Sequence, residues 1–383
     1  MKLSECFEKA KVETEKKGVF FLSDEYIDYV NSLGNCISKS ITHIKEAAGK
    51  ARENKELSAY VLFVYHAMQD RKTFMKHIKE IEFPEGESTE FRLLPFLAYL
   101  PIIPDIHESL SKKGVPEDVI SATLRQFEDC LYLTEERTGK LGLLKRYFDH
   151  MQLYVDEMIL NIGRLRFERI PKLESDIVAL RNKKGEIAVL FNNMTMNASG
   201  RIFGTPPETD NKKSFEANVF ETDTDFSGCM ADEEGNCQTE VNVFLKIEWE
   251  EVLRKGDSVL SVHIPAQGAL TEEACEESYR RAKEIFAKCY PEFKYKAFHC
   301  YSWMIDPQLV NFLPENSNIL AFQRKYTPYA SESEGTEVFN FVFKLVTRDY
   351  NDIPEDTSLQ RVLKKHYLDG NYIYEYEGIF VDE

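Results

Sequence analysis

A histidine stands at the end of an apolar stretch of strand length, residues 258–264, immediately before a Pro/Gly turn. Because side chains alternate along a strand, Leu260, Val262 and Ile264 share one face, while Val259, Ser261 and His263 share the other. Ligands often bind where a strand leads into the N-terminus of a helix. His263 is therefore a candidate general base or substrate ligand. The alternative is that it bonds a backbone carbonyl and fixes the turn.

The turn after this strand contains Ala266, Gln267 and Gly268, whose backbone N–H groups are candidates for binding a phosphate. A helix is predicted over residues 271–289, and Glu272 and Glu273 occupy its first turn. These carboxylates stabilise the helix through its dipole, but they would repel a pyrophosphate at the same place. The backbone of the turn therefore favours a phosphate site, whereas the charges of Glu272 and Glu273 disfavour it.

A second cluster lies in the predicted strand 296–303. Tyr301 shares one face with His299, while Cys300 and Ser302 share the other with Phe298. Tyr301 and Ser302 are candidate proton donors. Cys300 would be a nucleophile if a neighbouring base lowered its pKa, but a cysteine beside a phenylalanine is more typical of a core.

The elements that position these residues change character along the chain. Leu57, Val61, Val64 and Met68 have the 4-3-4 spacing of one helix face, and similar stripes predict helices over residues 1–160. Alternation begins near Gly163, which predicts strands. We therefore expect a helical domain over residues 1–160 and a second domain over residues 161–383.

The second domain is predicted to mix strands with single helices. Strands are expected at 165–170, 187–191, 241–245, 258–264, 296–303 and 372–376, and helices at 271–289 and 357–368. Residues 319–326 and 338–346 are expected to form an antiparallel pair. Residues 192–238 are polar and rich in turn formers, and they predict a long loop or insertion. This order indicates an α+β fold with a mixed sheet.

Composition limits the partners. The 383 residues carry a net charge of −17, which disfavours nucleic acid and anionic membranes but suits a cationic acceptor such as an amine. No apolar run reaches the roughly 20 residues of a membrane span, and the start of the chain lacks a signal-peptide pattern, which indicates a cytoplasmic protein. The eight cysteines are scattered, and Cys229 with Cys237 does not complete a metal site. The sequence leaves the oligomeric state open.

These clusters, in this order, resemble a family of bacterial acyltransferase-domain proteins with a helical N-terminal domain and a GNAT-like C-terminal domain. The similarity extends over roughly residues 97–370. The matching segments are GVPE at 114–117, GRLRFE at 163–168, Trp249 with Gly256 and Asp257, VHIP at 262–265, CYSW at 300–303, DPQL at 306–309, SNI at 317–319 and LQR at 359–361.

The resemblance implies a GNAT-like sheet in which the strand ending at His263 leads into the loop that holds the coenzyme A pyrophosphate. The predicted strand 296–303 would be its splayed neighbour, and the cleft between them would take the pantetheine arm and the acyl group. The superfamily's pyrophosphate signature, Q/R-x-x-G-x-G/A, is not present at Gln267 and Gly268.

Two functions are compatible with these residues. The first is an N-acyltransferase that moves an acyl group from acyl-coenzyme A to an amine, with His263 as base and Ser302 or Tyr301 as the acid that protonates the leaving thiolate. The alternative is a non-catalytic binding or regulatory protein on a GNAT-like scaffold. The altered phosphate loop favours the alternative, and the polar strand face around His263 favours the enzyme.

Overall fold

A computed structural model of the chain describes residues 3–84, 86, 88–266, 268–345, 350 and 352–382. The chain divides into two compact units, Met1–Ile162 and Gly163–Glu383. Within the described residues, no helix combines the length and the apolar character needed to cross a membrane.

The first unit is helical, as the sequence predicts. Its helices are α1 (Leu3–Lys17), α2 (Asp24–Ser32), α3 (Ile41–Glu53), α4 (Lys55–Gln69), α5 (Arg71–His77), α6 (Thr89–Leu97), α7 (Ile102–Lys112), α8 (Glu117–Thr138) and α9 (Lys145–Val155). Short 3-10 helices span Phe20–Leu22 and Ile78–Glu80, and a strand, β1 (Ile159–Ile162), ends the unit. The predicted stripe of α4 is confirmed at Val61, Val64 and Met68, which are buried.

The second unit combines strands with single helices. Its strands are β2 (Leu165–Ile170), β3 (Ile177–Asn182), β4 (Ile187–Phe191), β5 (Met194–Asn197), β6 (Ser214–Ala217), β7 (Phe220–Glu221), β8 (Asp225–Ala231), β9 (Cys237–Leu245), β10 (Trp249–Arg254), β11 (Val259–His263), β12 (Ala297–Ser302), β13 (Thr327–Ala330) and β14 (Tyr376–Phe380). Its helices are α10 (Glu272–Cys289), α11 (Asn318–Gln323), α12 (Glu337–Phe341) and α13 (Ser358–Leu368), with 3-10 helices at Glu208–Lys212, Trp303–Ile305 and Pro307–Asn311.

The sheet that carries the predicted site runs in the order β2-β11-β12-β14-β13 within this unit. β11 is antiparallel to β2 and parallel to β12, and β14 is antiparallel to both β12 and β13. The sheet is therefore mixed, and the predicted α+β class is confirmed.

One face of this sheet packs on α10. The ring of Tyr279 on α10 makes edge-to-face contacts with Phe167, Phe298 and Phe380, at centroid distances of 5.9, 5.0 and 5.7 Å. Such contacts add about 0.5–1.5 kcal/mol each beyond the area they bury. Since alternate residues point to opposite faces, this core leaves Ser261, His263 and their neighbours on the other, polar face.

Residues 192–238 contradict the prediction of a long loop. They contain β5, β6, β7, β8 and the start of β9. β8 pairs with β4, β7 and β9 in a second sheet of order β10-β3-β4-β8-β7, and β5 pairs with β6. The loop alternative failed because glycines, asparagines and aspartates here form tight turns between short strands, such as the turn at Gly235, where φ is +75°. These strands lie outside the sheet that contains β11 and β12, and the alternative of an insertion stays a prediction.

The predicted antiparallel pair at 319–326 and 338–346 is also wrong. The first segment is helix α11, begun by Ser317, whose hydroxyl accepts the N–H of Ile319 at 3.2 Å. The second contains α12, where Val338 and Phe339 are buried, and Val346 lies outside the described residues. Short apolar runs have no period that distinguishes a buried helix from a strand. The last strand also begins later than predicted, at Tyr376.

Candidate active site

The two central strands of the sheet separate at the point where the sequence placed the site. The parallel pairing of β11 with β12 covers Val259 to Ser261 and ends at the pair Ser261 and His299. β11 nevertheless continues to His263, and β12 continues to Ser302. Beyond this pair the two strands have no further backbone pairing, which we interpret as a gap that opens between them. Counting on from the last pair, His263 and Tyr301 occupy equivalent positions on the polar face, one on each side of the gap.

His263 is joined to an acidic partner across the sheet. Its Nε2 lies 2.7 Å from Oε2 of Glu168 on β2. The side chain of His263 is 42% exposed, whereas that of Glu168 is 14% exposed. The hydrogen bond thus orients an accessible imidazole. The partner of Nε2 is thus a carboxylate and not a backbone carbonyl.

The two predicted proton donors differ in placement. Tyr301 is 44% exposed, and its hydroxyl donates to the carbonyl of Glu332 at 3.2 Å. Burial of the ring, together with nearby carboxylates including Glu375 and Glu377, raises the pKa of Tyr301. Its phenol therefore stays protonated at neutral pH. Ser302 lies on the opposite face and accepts the N–H of Met304 at 3.1 Å, which caps the following 3-10 helix.

The candidate nucleophile Cys300 and the nearby Asp306 both have structural roles. Cys300 is fully buried, and burial raises the pKa of its thiol, so the side chain is a core residue. Asp306 caps the next 3-10 helix and accepts N–H groups from Gln308 at 2.9 Å and Tyr374 at 2.7 Å. Burial raises the pKa of Asp306 to about 6, against the opposing effect of these hydrogen bonds.

A largely covered hydrogen-bond network continues from the gap across the polar face. Ser261 Oγ lies 3.3 Å from Nδ1 of His299, and Nε2 of His299 lies 3.1 Å from Oε2 of Glu377. The same Oε2 accepts the hydroxyl of Tyr329 at 2.5 Å and the hydroxyl of Ser175. Three donors thus converge on one carboxylate oxygen on β14.

These donors determine the charge of Glu377. Burial alone would raise its pKa, but the hydrogen bond and charge of His299, with the hydroxyls of Ser175 and Tyr329, outweigh burial and hold the pKa below its ordinary value. Glu377 is therefore ionised at neutral pH, and its side chain remains 17% exposed.

This carboxylate borders a cavity of about 700 Å³ on the polar side of the sheet. Its lining combines aromatic rings, carboxylates and small polar groups: Glu174, Ser175, Asp176, Asn193, Met194, Thr195, Ile202, Phe203, Tyr301, Tyr329, Ala330, Ser331, Glu332 and Glu377. Tyr301 belongs both to this lining and to the edge of the gap, so the cavity and the gap meet there. His263, Ala266 and Gly268 are not among the lining residues.

The loop after β11 is held by an arginine. Arg164 donates to the carbonyls of Pro265 at 2.9 Å, Gly268 at 3.1 Å and Ala269 at 3.0 Å. Gly268 has φ +83°, a conformation that favours glycine. Ala266 is exposed, and Gln267 lies outside the described residues.

The N-terminus of α10 follows this loop directly. Thr271 caps the helix and accepts the N–H of Ala274 at 3.3 Å. Glu272 and Glu273 are exposed in its first turn. The guanidinium of Arg164 therefore adds positive charge to the loop that precedes these two carboxylates.

The structure brings together residues that the sequence had separated. His263 and Tyr301 occupy equivalent strand positions on the polar face, and Ser302 lies on the opposite face. Sequence reasoning missed Glu168, His299 as a network member, and Glu377. Among the described residues, no group of three or more His, Cys, Asp or Glu side chains is arranged to hold a metal ion.

Comparison with known proteins identifies both parts of the chain. Residues 38–147 match the N-acyltransferase N-terminal domain, and residues 159–380 match the GNAT-like C-terminal domain. No curated protein matches the sequence.

Solved structures of acyltransferases share the fold. A mutant acyltransferase in complex with octanoyl-CoA aligns with 17% identity and a TM-score of 0.59, over 94% of this chain and 88% of that chain. An acyltransferase in complex with CoA and 10C-teicoplanin aligns with 17% identity and a TM-score of 0.59, over 92% of this chain and 87% of that chain. A third, in complex with decanoyl-CoA, aligns with 18% identity and a TM-score of 0.58, over 94% and 88%. At these identities the similarity is one of fold.

Proposed function

The chain belongs to the family with a GNAT-like C-terminal domain, and we propose that it transfers an acyl group from acyl-coenzyme A to an amine, with His263 as the general base. The observation that carries this proposal is the gap between β11 and β12, which has the accessible His263–Glu168 pair on one side and Tyr301 on the other. Neighbours of the same fold are complexes with octanoyl-CoA, decanoyl-CoA and CoA, which supports acyl-coenzyme A as the donor.

In this proposal the donor enters with its thioester in the gap. The loop after β11, including Ala266 and Gly268, together with the N-terminus of α10, faces the diphosphate. Arg164 fixes the carbonyls of that loop and supplies positive charge to it. This positive charge supports a diphosphate at the loop, whereas Glu272 and Glu273 oppose it, and the usual glycine-rich signature is missing.

The chemical step needs one base and one acid. His263, directly or through a water, first takes a proton from the acceptor's ammonium group, so that the neutral nitrogen can attack the thioester carbon and form a C–N bond. The nitrogen loses its second proton to solvent as the tetrahedral intermediate collapses. Glu168 stabilises the imidazolium that results. The C–S bond then breaks, and the proton needed by the thiolate comes from a donor on the other side of the gap. Free backbone N–H groups at such a gap would stabilise the oxyanion.

Tyr301 is the better placed of the two candidate acids. It lies on the polar face at the edge of the gap, and its raised pKa keeps the phenol protonated until the thiolate forms. Ser302 points to the other face, where its hydroxyl caps Met304. We therefore assign the donor role to Tyr301 and a structural role to Ser302.

The cavity beside Tyr301 is proposed to hold the acceptor. Its wall presents the ionised Glu377 together with Glu174 and Glu332, and aromatic rings stand beside them. A cationic amine complements this combination through charge pairing and cation–π contact. From the cavity, the amine would reach the thioester past Tyr301.

We also propose that the protein acts in the cytoplasm. The cysteines are buried, consistent with small apolar core residues in the reducing cytoplasm.

The test is release of coenzyme A thiol from octanoyl- or decanoyl-CoA in the presence of an amine. The proposal expects amine-dependent thiol release, with one acylated amine formed per thiol. A non-catalytic protein on this scaffold is the competing function. It would bind ligands without releasing thiol above the uncatalysed rate, and His263→Gln would then change nothing in the assay.

A further inference from the structure

Strand β9 presents an exposed apolar stripe. Val241, Val243 and Leu245 alternate along it and are 62%, 63% and 47% exposed. The intervening Phe244 points to the opposite face and is buried in a cluster with Phe226. A strand with a solvated face normally carries polar residues there. We name these three residues the β9 stripe.

The same strand has an open edge. Within the part of the chain that the structure describes, β9 pairs with β8 and with no other strand. The stretch from Thr239 to Leu245 contains no proline or glycine, and Glu240 is its one charged residue. Natural sheets protect such edges with charges, prolines or bulges. The pairing of β9 with β8 does shift register between Cys237 and Val241, but Val241 to Leu245 pair regularly with Cys229 to Asp225. An edge that is apolar and extended is a template for another strand.

We propose that β9 pairs antiparallel with β9 of a second copy of this chain, in a register centred on Val243. Each residue then lies opposite the residue of the second copy that is equally far from Val243 on the other side. Val243 faces Val243 of the second copy, and Val241 faces Leu245. The two stripes join into one continuous apolar row across the two-fold axis, and the open backbone groups of both edges become hydrogen-bonded.

The charges at the two ends of the strand support a second copy as the partner and support this register. The same register places Glu240 opposite Lys246 of the second copy, and the reverse pair forms at the other end. Glu240 is exposed, and Lys246, whose ammonium lies 2.8 Å from Glu221, is part-exposed at the end of the strand. Opposite charges therefore face each other twice in a symmetric interface. A one-residue shift would break both charge pairs and set apolar residues against polar ones.

Sedimentation velocity over a concentration series tests the proposal. The mass of the wild type is expected to rise from 44.5 kDa towards twice that value as concentration increases. Val243→Lys places two ammonium groups opposite each other on the axis, and we expect that variant to remain monomeric. The control is Phe220→Lys, which removes an equally exposed apolar side chain from β7. Since β7 is not at this edge, the control should associate like the wild type.

Charge exchange tests the register itself. Glu240→Lys and Lys246→Glu should each weaken self-association, because each sets like charges opposite each other. An equimolar mixture of the two variants should associate more strongly than either alone, since both charge pairs return in the mixed dimer. Three results would overturn the proposal. The wild type could stay monomeric, the Val243→Lys variant could associate as strongly as the wild type, or the mixture could associate no more strongly than each variant alone. Circular dichroism of each variant confirms that it is folded.

Discussion

His263 on β11 and Glu168 on β2 form a 2.7 Å hydrogen bond on the polar face of the central sheet, at the mouth of the gap between β11 and β12. The carboxylate is largely covered, and the imidazole is accessible. A base in this position can receive a proton from solvent or substrate while its partner holds the ring. The proposed chemistry depends on this pair.

Replacing His263 with Gln should reduce acyl transfer without unfolding the protein. A general base contributes about 10²–10⁴-fold to a rate, so kcat should fall by that factor. The free energy of unfolding should change by less than about 1 kcal/mol, because the pair is partly exposed. The measurements are thiol release and chemical denaturation.

Two further variants complete this experiment. Glu168→Gln should lower kcat by a smaller factor, on the order of tenfold, since the ring stays in place but the imidazolium loses its counter-charge. His43→Gln is the matched control, because His43 is an exposed histidine on α3. A normal kcat in His263→Gln, with lowered stability, would make His263 a structural residue.

Tyr301→Phe and Ser302→Ala should have opposite consequences. The first removes the proposed acid from the edge of the gap, so we expect kcat to fall about 10²-fold or more with little loss of stability. The second removes the hydroxyl that accepts the N–H of Met304, which should cost about 0.5–2 kcal/mol and leave kcat nearly unchanged. Parallel measurement of kcat and melting temperature separates the roles. If kcat instead falls in Ser302→Ala and not in Tyr301→Phe, the assignment is reversed.

Glu377→Gln should produce a pH-dependent loss of stability. The folded-state pKa of Glu377 lies below its ordinary value near 4.5. The carboxylate therefore adds stability that is complete above the unfolded-state pKa and is lost as pH falls through the folded-state pKa. At pH 7 the variant should be less stable by about 1–3 kcal/mol, and the difference should shrink below about pH 4.3.

Denaturation curves from pH 7 to pH 3.5 provide this measurement. Glu174→Gln is the control, because Glu174 borders the same cavity but is exposed. It should show a small difference at every pH. A Glu377→Gln difference that is independent of pH would contradict the proposed charge state of the network.

Arg164→Met should weaken acyl-coenzyme A binding. The substitution removes the donors that hold the carbonyls of Pro265, Gly268 and Ala269, together with the positive charge of the loop. We expect the Kd for decanoyl-CoA to rise about tenfold, equivalent to about 1.4 kcal/mol, in isothermal titration calorimetry. Arg280→Met is the control on α10, where the arginine is exposed and pairs with Glu277 and Glu284. Equal affinity in both variants would exclude the loop as the phosphate site.

Local patterns predicted much of the fold. Alternation identified β11 and β12 and their polar faces, and helix periodicity identified α4 and α10. The prediction of a strand failed at α11, because a short apolar run fits a strand as well as a helix. The loop prediction also failed between residues 192 and 238, where closely spaced turn-forming residues connect the strands.

The partners within the site were less predictable because they depend on strand order. His263 was a visible candidate, but Glu168 is its partner only because β2 lies beside β11. His299 reaches Glu377 only because β14, the last strand of the chain, inserts between β12 and β13. Local sequence contains no signal for either neighbour. The alternation of Glu168 onto the same face as His263 becomes informative once the order of the strands is known.

The most direct test of the proposed function is steady-state thiol release from decanoyl-CoA, with and without a panel of primary amines, by the wild type and His263→Gln. We expect thiol release by the wild type to require an amine, to be matched by acylated amine in mass spectrometry, and to fall about 10²–10⁴-fold in the variant. Equal rates in the two proteins, or a wild type that binds decanoyl-CoA and releases no thiol with any amine, would contradict acyl transfer with His263 as the base.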